Sequence, residues 1–585
     1  AWVPGHPDAW PGWEDSAVAP DRVGNYLRDL RGIYDRYGYD ASLYGHFGQG
    51  CIHTRIDFDL VTADGIRDFR SFLDDAADLV VSYGGSLSGE HGDGQARAEL
   101  LPKMFGERLV RAFREFKGIW DPDNRMNPGK VVDPNPVVSH LRLGTDYAPW
   151  EPVTFFGYPD DEHSFARAGG LRCVGVGKCR REGGGTMCPS YMVTREEKHS
   201  TRGRARLLFE MIQGDVVKDG WRDEGVKEAL DLCLACKGCL GDCPVNVDMA
   251  TYKAEFLAHH YDHRLRPASH YSMGWLPVLA RAAQRAPRAV NALGRTPVLR
   301  SVAKRVGGID GRRDLPEFAD RSLREQLEEH DGRTDGRPVL LWPDTFTDHF
   351  DPQIGMAAVR VLEDAGFSVS IPDRPLCCGL TWISTGQLRT ARRRLATTLR
   401  ALTPTVRAGV PVVGLEPSCT AVFRHDLTEL FPHDRDAQRL SDQTFTLAEL
   451  LDREAPDWEA PGVGRRAIVQ GHCHHKAVMR MGADERLFDR AGIDADVLDA
   501  GCCGLAGNFG FERGHHEVSI ACAERVLLPA VRDAGADTLV VADGFSCRTQ
   551  IHQNSERRAV HVAEVLADAL DDRDRSRDAV ADGAS

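Results

Sequence analysis

His46 and His53 stand seven residues apart in "YGHFGQGCIHTR", with Gly48 and Gly50 between them. On a helix that spacing would put both rings on one face, but each interior glycine costs about 1 kcal/mol there. On a flat strand an odd separation sends the rings to opposite faces. Both reach one object only if the backbone bulges or turns between them, which glycine permits. Two unconnected surface histidines are the plain alternative in a chain with 22 His. A second glycine-rich stretch, "GGSLSGEHGDGQAR", sets Glu90 beside His91. His46, His53 and Glu90 together would make a two-histidine, one-carboxylate site for a divalent metal, with positions left open for a substrate. Neighbouring side chains diverge, so His91 would point past the metal and suit a general base. A metal that holds a carboxylate and an adjacent hydroxyl oxygen makes that hydroxyl more acidic. His91 would then take the hydroxyl proton. The remaining hydrogen would leave carbon as hydride, which requires an acceptor.

The cysteines point to a different chemistry. "CLACKGCLGDCP" is Cys233-x2-Cys236-x2-Cys239-x3-Cys243-Pro, the bacterial ferredoxin ligand run, in which three thiolates wrap one cubane and the fourth serves a second cluster. Its partner, "CVGVGKCRREGGGTMCP", is irregular: Cys173, Cys179 and Cys188 are present, but Val176 occupies the middle position. By cross-ligation, Cys233, Cys236, Cys239 and Cys188 complete one [4Fe–4S] set. Cys173, Cys179 and Cys243 form a second set one ligand short. That set could hold a three-iron cluster, a cubane with a non-protein ligand, or nothing. Zinc is the alternative for the regular run, although the trailing Cys-Pro does not suit it. Two Cys-Cys-Gly motifs follow. One half supplies Cys377, Cys378 and Cys419, and the other Cys473, Cys502, Cys503 and Cys547. Adjacent cysteines on a tight turn can face one inorganic cluster. The competing reading is buried reduced cysteines in α/β cores. The first half has no counterpart of Cys473, so the two halves should bind differently.

These groups need scaffolds, and the pattern of the chain supplies them. Strand-like and amphipathic helical runs alternate over residues 1–133, a mixed α/β layer. Residues 134–270 read as a helical two-cluster ferredoxin-like domain. A basic stretch at 271–335, broken into short helices by its prolines, reads as a solvated linker compatible with a peripheral membrane contact. Residues 336–455 and 456–570 repeat one order: strand, helix, strand, Cys-Cys-Gly, helix, strand, Ser-Cys. They form two α/β units related by internal repetition. The polar segment 571–585 is expected to be a disordered tail. The fold class is thus multidomain α/β and α+β.

The totals agree with this reading. Across 585 residues, 42% are hydrophobic, 27% are charged and the net charge is −14, which speaks against broad nucleic-acid binding. No apolar run approaches the ~18 residues of a membrane span. The sixteen cysteines cluster tightly within a large chain that opens on no leader-like segment. We therefore expect a reducing, cytoplasmic setting, with metal or cluster ligation rather than disulfides.

"GHFGQGCIH", "SGEHGDG" and "NPGK" resemble the C-terminal portion of FAD-linked 2-hydroxy-acid dehydrogenases of the vanillyl-alcohol oxidase superfamily. The resemblance implies that His46, His53 and Glu90 bind a divalent metal, usually zinc, and that His91 is the base. It also implies that Asn127 approaches the flavin. Gln49-Gly50-Cys51 departs from the usual Asp-Gly-Asn, and Arg55 stands where several relatives have Asn. Residues 134–570 resemble the iron–sulfur subunits of glycolate oxidase and anaerobic glycerol-3-phosphate dehydrogenase. "GKCRREGGGTMCPSYMVTREEKHSTRGRARLL" resembles large bacterial fusions of flavin and iron–sulfur parts, some of which oxidise D-2-hydroxyglutarate. The implied activity is oxidation of a D-2-hydroxy acid. D-2-hydroxyglutarate is favoured, with D-lactate or glycolate next. Electrons would pass from FAD through 4Fe-4S clusters to a quinone or protein acceptor.

In that family an FAD-binding domain precedes the segment at which this sequence opens. The expectation is a truncated C-terminal part of a longer fusion that binds FAD poorly unless the missing part is supplied. An electron-transfer iron–sulfur subunit without its own dehydrogenase activity is the first rival, and a non-catalytic thiol-rich metal protein the second. A homo-oligomer and a peripheral position at the inner membrane face are both compatible with the sequence.

Overall fold

The computed structural model describes residues 7–582, which fall into two compact units that meet in sequence at Pro149 and Trp150. In the first unit, strands β1 (Ser16–Ala17), β2 (Ala41–His46) and β3 (Cys51–Ile56) form an antiparallel sheet in the order β1-β3-β2. Helices α1 (Val23–Tyr37) and α2 (Ala63–Ser82) cover it. Their apolar stripes bring Tyr26, Leu30, Phe72, Leu73 and Ala76 into one core with Ile52 and Ile56 of β3. The Thr62 hydroxyl caps the start of α2 by accepting from the Gly65 N–H, and left-handed Gly38 ends α1. β3 is buried along nearly its whole length, whereas edge strand β2 leaves Leu43 and Tyr44 exposed. Helix α3 (Leu101–Trp120) follows. The core of this unit reaches past residue 133. Val137 is buried in this core, and its N–H donates to Glu99 Oε2 at 2.7 Å.

The second unit opens with helices set among the ferredoxin-like cysteines: α4 (Pro189–Thr194), α5 (Thr201–Gln213), α6 (Glu224–Asp231), α7 (Gly238–Asp242) and α8 (Met249–His260). Two parallel sheets then repeat one topology. Strands β4 (Arg337–Trp342), β5 (Phe367–Ser370), β6 (Val412–Gly414) and β7 (Thr444–Phe445) lie in the order β5-β4-β6-β7. Strands β8 (Arg466–Val469), β9 (Asp494–Val497) and β10 (Leu539–Val541) lie in the order β10-β8-β9. Leu340, Leu341, Val412 and Val413, and Ile468, Val469, Val540 and Val541, are buried on both sheet faces, the mark of strands covered by crossover helices. In each half the Cys-Cys-Gly turn follows the second strand, and the Ser-Cys pair opens the helix after the third. The two halves share a core in which Val339, Leu341 and Val413 meet Ala467, Val469 and Val541.

Two expectations are corrected here. The basic stretch is not simply a solvated connector. It forms α9 (Ala268–Ser272), α10 (Leu276–Ala283), α11 (Pro287–Arg295) and α12 (Pro297–Gly307), and part of it is anchored. Arg313 is 1% exposed, and its guanidinium donates to Gly510 O, Gln550 Oε1 and Ser519 Oγ of the second half. A long cationic side chain that finds three buried acceptors reads as surface in a sequence. Nor are residues 571–582 a disordered tail, because they continue the helix Val562–Asp582. Arg573 pairs with Asp364, and Arg360 with Asp571 and Asp574. Those acidic residues read as a solvated run until their partners on a distant helix are seen. Residues 583–585 of the expected tail lie outside the described residues.

Candidate functional site

The first site is built on the β2–β3 hairpin. His46 ends β2, and a tight helical turn over Phe47–Gln49 leads into β3, which carries His53. The register pairs His46 with Cys51 and Tyr44 with His53. Gly45 and Gly50 are the required glycines. Gly50 has φ +81°, and a Cβ there would lie 1.8 Å from Val18 O; a Cβ on Gly45 would lie 2.6 Å from Cys51 O. Gly48 has open space around it.

Glu90 sits at the centre. Its Oε1 lies 3.0 Å from His53 Nε2, 3.5 Å from His46 Nε2 and 3.8 Å from His91 Nε2. His53 is buried while His46 and His91 are exposed. The His91 ring does not diverge fully. It stacks on His53, with centroids 4.8 Å apart and planes within 6°. Two imidazoles and a carboxylate at these separations suit a divalent transition-metal ion, with His91 immediately beside them. Asn127 is exposed in a left-handed conformation on the loop after α3. Lys130 of that loop donates to Gln95, and the Val131 N–H donates to Gly94 O, so the loop flanks the one that carries His91.

Asp15 organises this site, and no motif in the sequence announces it. Its side chain is fully buried and accepts from the backbone N–H of Glu90 (3.1 Å) and of His91 (2.7 Å), from the Ser88 hydroxyl, and from the Cys51 thiol at 3.1 Å. Burial alone would raise the Asp15 carboxyl's pKa. The hydrogen bonds from Ser88, His91, Cys51 and Glu90 outweigh burial and hold it well below the usual carboxylate range. Cys51 is correspondingly pushed up to about 12 by burial and by the charges of Asp15 and Glu90, so it serves as a thiol donor rather than a thiolate. Arg55 is engaged by Glu14 and lies under the Tyr44 ring, so its charge is compensated within the unit.

Asp15→Ala is expected to lower the unfolding free energy of the first unit by about 3 kcal/mol, because several buried donors lose their acceptor. Denaturation of the full chain, followed through the buried Trp13, reads this out. An unchanged transition would contradict the role given to Asp15. Because the Asp15 pKa is depressed on folding, the stability it provides is present at neutral pH and is lost as the pH falls below about 4.

In the second unit the ferredoxin-like cysteines are buried or half-buried. Cys233, Cys236 and Cys239 lie close enough to one another to interact electrostatically. Cys188 precedes α4, and its sulfur accepts from Arg204 Nη1 at 3.4 Å. Cys522, which no motif flagged, is buried near enough to Cys236 and Cys188 to interact electrostatically, and its thiol donates to Pro189 O. Cys179 interacts with Cys173 and Cys188 and accepts from the Arg202 N–H. In the first Cys-Cys-Gly half, Cys378 Sγ lies 3.0 Å from Cys419 Sγ, with Cys377 adjoining. In the second, Cys502 contacts Cys473 and Cys503, and Cys503 contacts Cys547. Cys502 also contacts Cys236. Five thiols from the ferredoxin run and the second repeat thus form one continuous buried group.

The loop that carries Cys236 joins the first half as well. Lys237, left-handed and 4% exposed, places its ammonium 2.7 Å from Asp248 Oδ2 and 2.9 Å from Asp426 Oδ1 of the first half. Burial would push the Lys237 pKa down, but the two carboxylates reverse this and keep it charged. Lys237→Met would deprive two buried carboxylates of their ammonium partner, leaving Thr251 and His425 beside them, at a cost of about 3 kcal/mol. Loss of the cooperative unfolding transition at ordinary denaturant concentrations reports it, and a wild-type transition would contradict it.

Comparison with known proteins bears on both sites. Residues 1–131 match the C-terminal domain of FAD-linked oxidases, residues 170–247 a 4Fe-4S dicluster domain, and residues 344–424 a cysteine-rich domain. Segments of the chain thus match, in order, an FAD-linked oxidase domain, a 4Fe-4S dicluster domain and a cysteine-rich domain, which supports FAD and iron–sulfur clusters as cofactors. The chain is homologous to D-2-hydroxyglutarate dehydrogenases. The Pseudomonas putida protein of that name is 30% identical over 94% of this chain, and the Escherichia coli one 28% identical over 95%. The chain spans 58% of the length of each. One subunit of the Escherichia coli anaerobic glycerol-3-phosphate dehydrogenase is 28% identical over 45% of this chain and 67% of its own length. Among the described residues no helix is long and apolar enough to cross a membrane.

Proposed function

We propose that this chain supplies the substrate pocket and the electron relay of an FAD-dependent D-2-hydroxy-acid dehydrogenase. The observation that carries the reading is the meeting of His46, His53 and His91 around Glu90, in a chain whose second unit gathers fifteen cysteines. D-2-hydroxyglutarate is the favoured substrate, because proteins of that activity align with nearly the whole chain. D-lactate and glycolate come next.

His46, His53 and Glu90 would hold a divalent ion, and zinc fits the donor set. Such an ion would supply a Lewis acid for the substrate's carboxylate and hydroxyl oxygens. His91, beside Glu90, receives the hydroxyl proton at Nε2. Asp15 fixes the backbone of both residues, so that proton acceptor and metal ligand keep one relative geometry. Asn127 would approach the flavin. FAD, when bound, supplies the two-electron acceptor for the C2 hydrogen, and iron–sulfur clusters, when bound, supply one-electron carriers. Cys233, Cys236, Cys239 and Cys188 would hold one 4Fe-4S cluster. Cys173, Cys179 and Cys243 would hold a second, incomplete one. The Cys-Cys-Gly sites would carry electrons on to a quinone or protein acceptor. A panel of D-2-hydroxyglutarate, D-lactate and glycolate, run on the chain reconstituted with FAD and an FAD-binding domain and supplied with an artificial acceptor, tests the assignment. Turnover should be fastest with D-2-hydroxyglutarate, and no turnover with any of the three would refute it. The similarity to one subunit of a glycerol-3-phosphate dehydrogenase favours a second reading, an electron-transfer protein without its own dehydrogenase activity. The same panel separates the two.

A cytoplasmic protein that touches the inner membrane face completes the proposal. Val298, Val302 and Val306 form an exposed stripe at helical spacing on α12, with Leu293 exposed on α11. Arg305 stands exposed on α12, and the exposed Arg288 and Arg295 of α11 are ion-paired with Asp320 and Glu317. An apolar stripe flanked by cations matches an anionic lipid surface. Sedimentation with phosphatidylglycerol vesicles should capture the protein at low salt, and Val298→Glu/Val302→Glu should release it. Equal recovery with neutral vesicles, or with both variants, contradicts the contact.

A further inference from the structure

We infer a divalent-cation site at the seam between the two Cys-Cys-Gly halves, formed by His475, Asp484 and Asp543 and separate from both the histidine cluster and the cysteines. The ligand-bearing atoms of these three residues all lie within 4.8 Å of one another. His475 sits on a π-helical turn, His475–Met479, that follows β8; such turns re-aim side chains out of helical register. Asp484 lies in the first turn of the helix Gly482–Arg490, and Asp543 follows β10. The first half closes the site with Gly414, Leu415, Pro417 and Thr446.

Three features distinguish this group from an ordinary buried ion pair. His475 and Asp484 are each 2% exposed, and their facing atoms, Nε2 and Oδ2, stand 2.9 Å apart. Yet neither atom has a hydrogen-bond partner of acceptable geometry. Two ligand atoms that converge on one ion at about 2.0–2.2 Å each stand about 3 Å apart without pointing at each other. Second, a cavity of about 10 Å³ lies among these residues, room for a single ion or water. Third, two carboxylates and one imidazole leave the site negative, and buried negative charge is costly without a counter-ion. His561 Nε2 stands 3.6 Å from Asp543 Oδ1, but it donates to Leu415 O at 3.1 Å while its Nδ1 accepts from the Ala563 N–H at 3.0 Å. Asp543 Oδ1 accepts from the Val562 N–H, which leaves its other oxygen for the ion. One nitrogen and two oxygens make a mixed donor set suited to zinc, manganese or ferrous ions. The ion would pin β8 and β10 of the second half against the β6 end of the first.

Equilibrium dialysis of the full, cluster-loaded chain against Zn²⁺ and, separately, Mn²⁺ tests this. It is run in a His53→Ala/Glu90→Ala background, which removes the two central ligands of the histidine cluster. Metal, iron and sulfide are quantified together. One equivalent of Zn²⁺ or Mn²⁺ per chain is expected, lost in Asp484→Asn while iron and sulfide stay unchanged. If Asp484→Asn also loses iron, Asp543→Asn supplies the comparison. Absence of bound Zn²⁺ and Mn²⁺ in the His53→Ala/Glu90→Ala protein, leaving a water-filled ion pair, overturns the site. So does an equivalent that persists in both Asn variants.

Discussion

His91→Ala lowers turnover of D-2-hydroxyglutarate by FAD-loaded protein about 10²–10⁴-fold, the usual contribution of a positioned general base. The loss should fall on kcat, since the proposed substrate-binding ligands His46, His53 and Glu90 are untouched by the substitution. Reduction of the flavin under single-turnover conditions should slow by the same factor, because the hydroxyl proton has lost its acceptor. His91 is exposed and stacked on His53, so its removal opens no core and leaves folding intact. Turnover that survives the substitution would move the base elsewhere and favour the electron-transfer reading.

Cys239→Ala separates the two chemistries from the other side. Cys239 is buried beside Cys233 and Cys236, and a cubane that loses one of its four thiolates is not retained in the wild-type form. Iron should fall by roughly four atoms per chain, one cluster's worth. Substrate should still reduce the flavin at the wild-type rate, while steady-state transfer to the acceptor falls to the background of direct flavin reoxidation. Unchanged iron would remove Cys239 from the ligand set. A lowered rate of flavin reduction would show that the substitution had disturbed more than the relay.

The histidine hairpin was legible in the sequence because odd spacing and glycine leave a turn as the way to bring two rings together. Even so, composition did not say which glycines matter. Gly45 and Gly50 are held by close backbone approaches across the hairpin, and Gly48 meets nothing. The repeated Cys-Cys-Gly order was legible because strand, turn and helix signals recur in register with the cysteines. Asp15 was not. It lies far along the chain from Glu90 and His91, and its role exists only through backbone donors that a sequence does not display. Contact between Cys236 and Cys502 likewise depends on how a ferredoxin loop docks on a sheet domain 266 residues later. The basic stretch and the acidic tail misled for one reason: charged residues read as solvated until Arg313 and Arg573 are seen with their partners.

The most direct test of a joined pocket and relay is electron paramagnetic resonance on anaerobically prepared, FAD-loaded protein, before and after one addition of D-2-hydroxyglutarate. The account predicts iron and acid-labile sulfide in cluster proportions, and reduced-cluster signals that grow in after the substrate is added and are absent from His91→Ala on the same timescale. Protein that contains neither iron nor sulfide, or clusters that stay oxidised while the flavin is fully reduced, would contradict it.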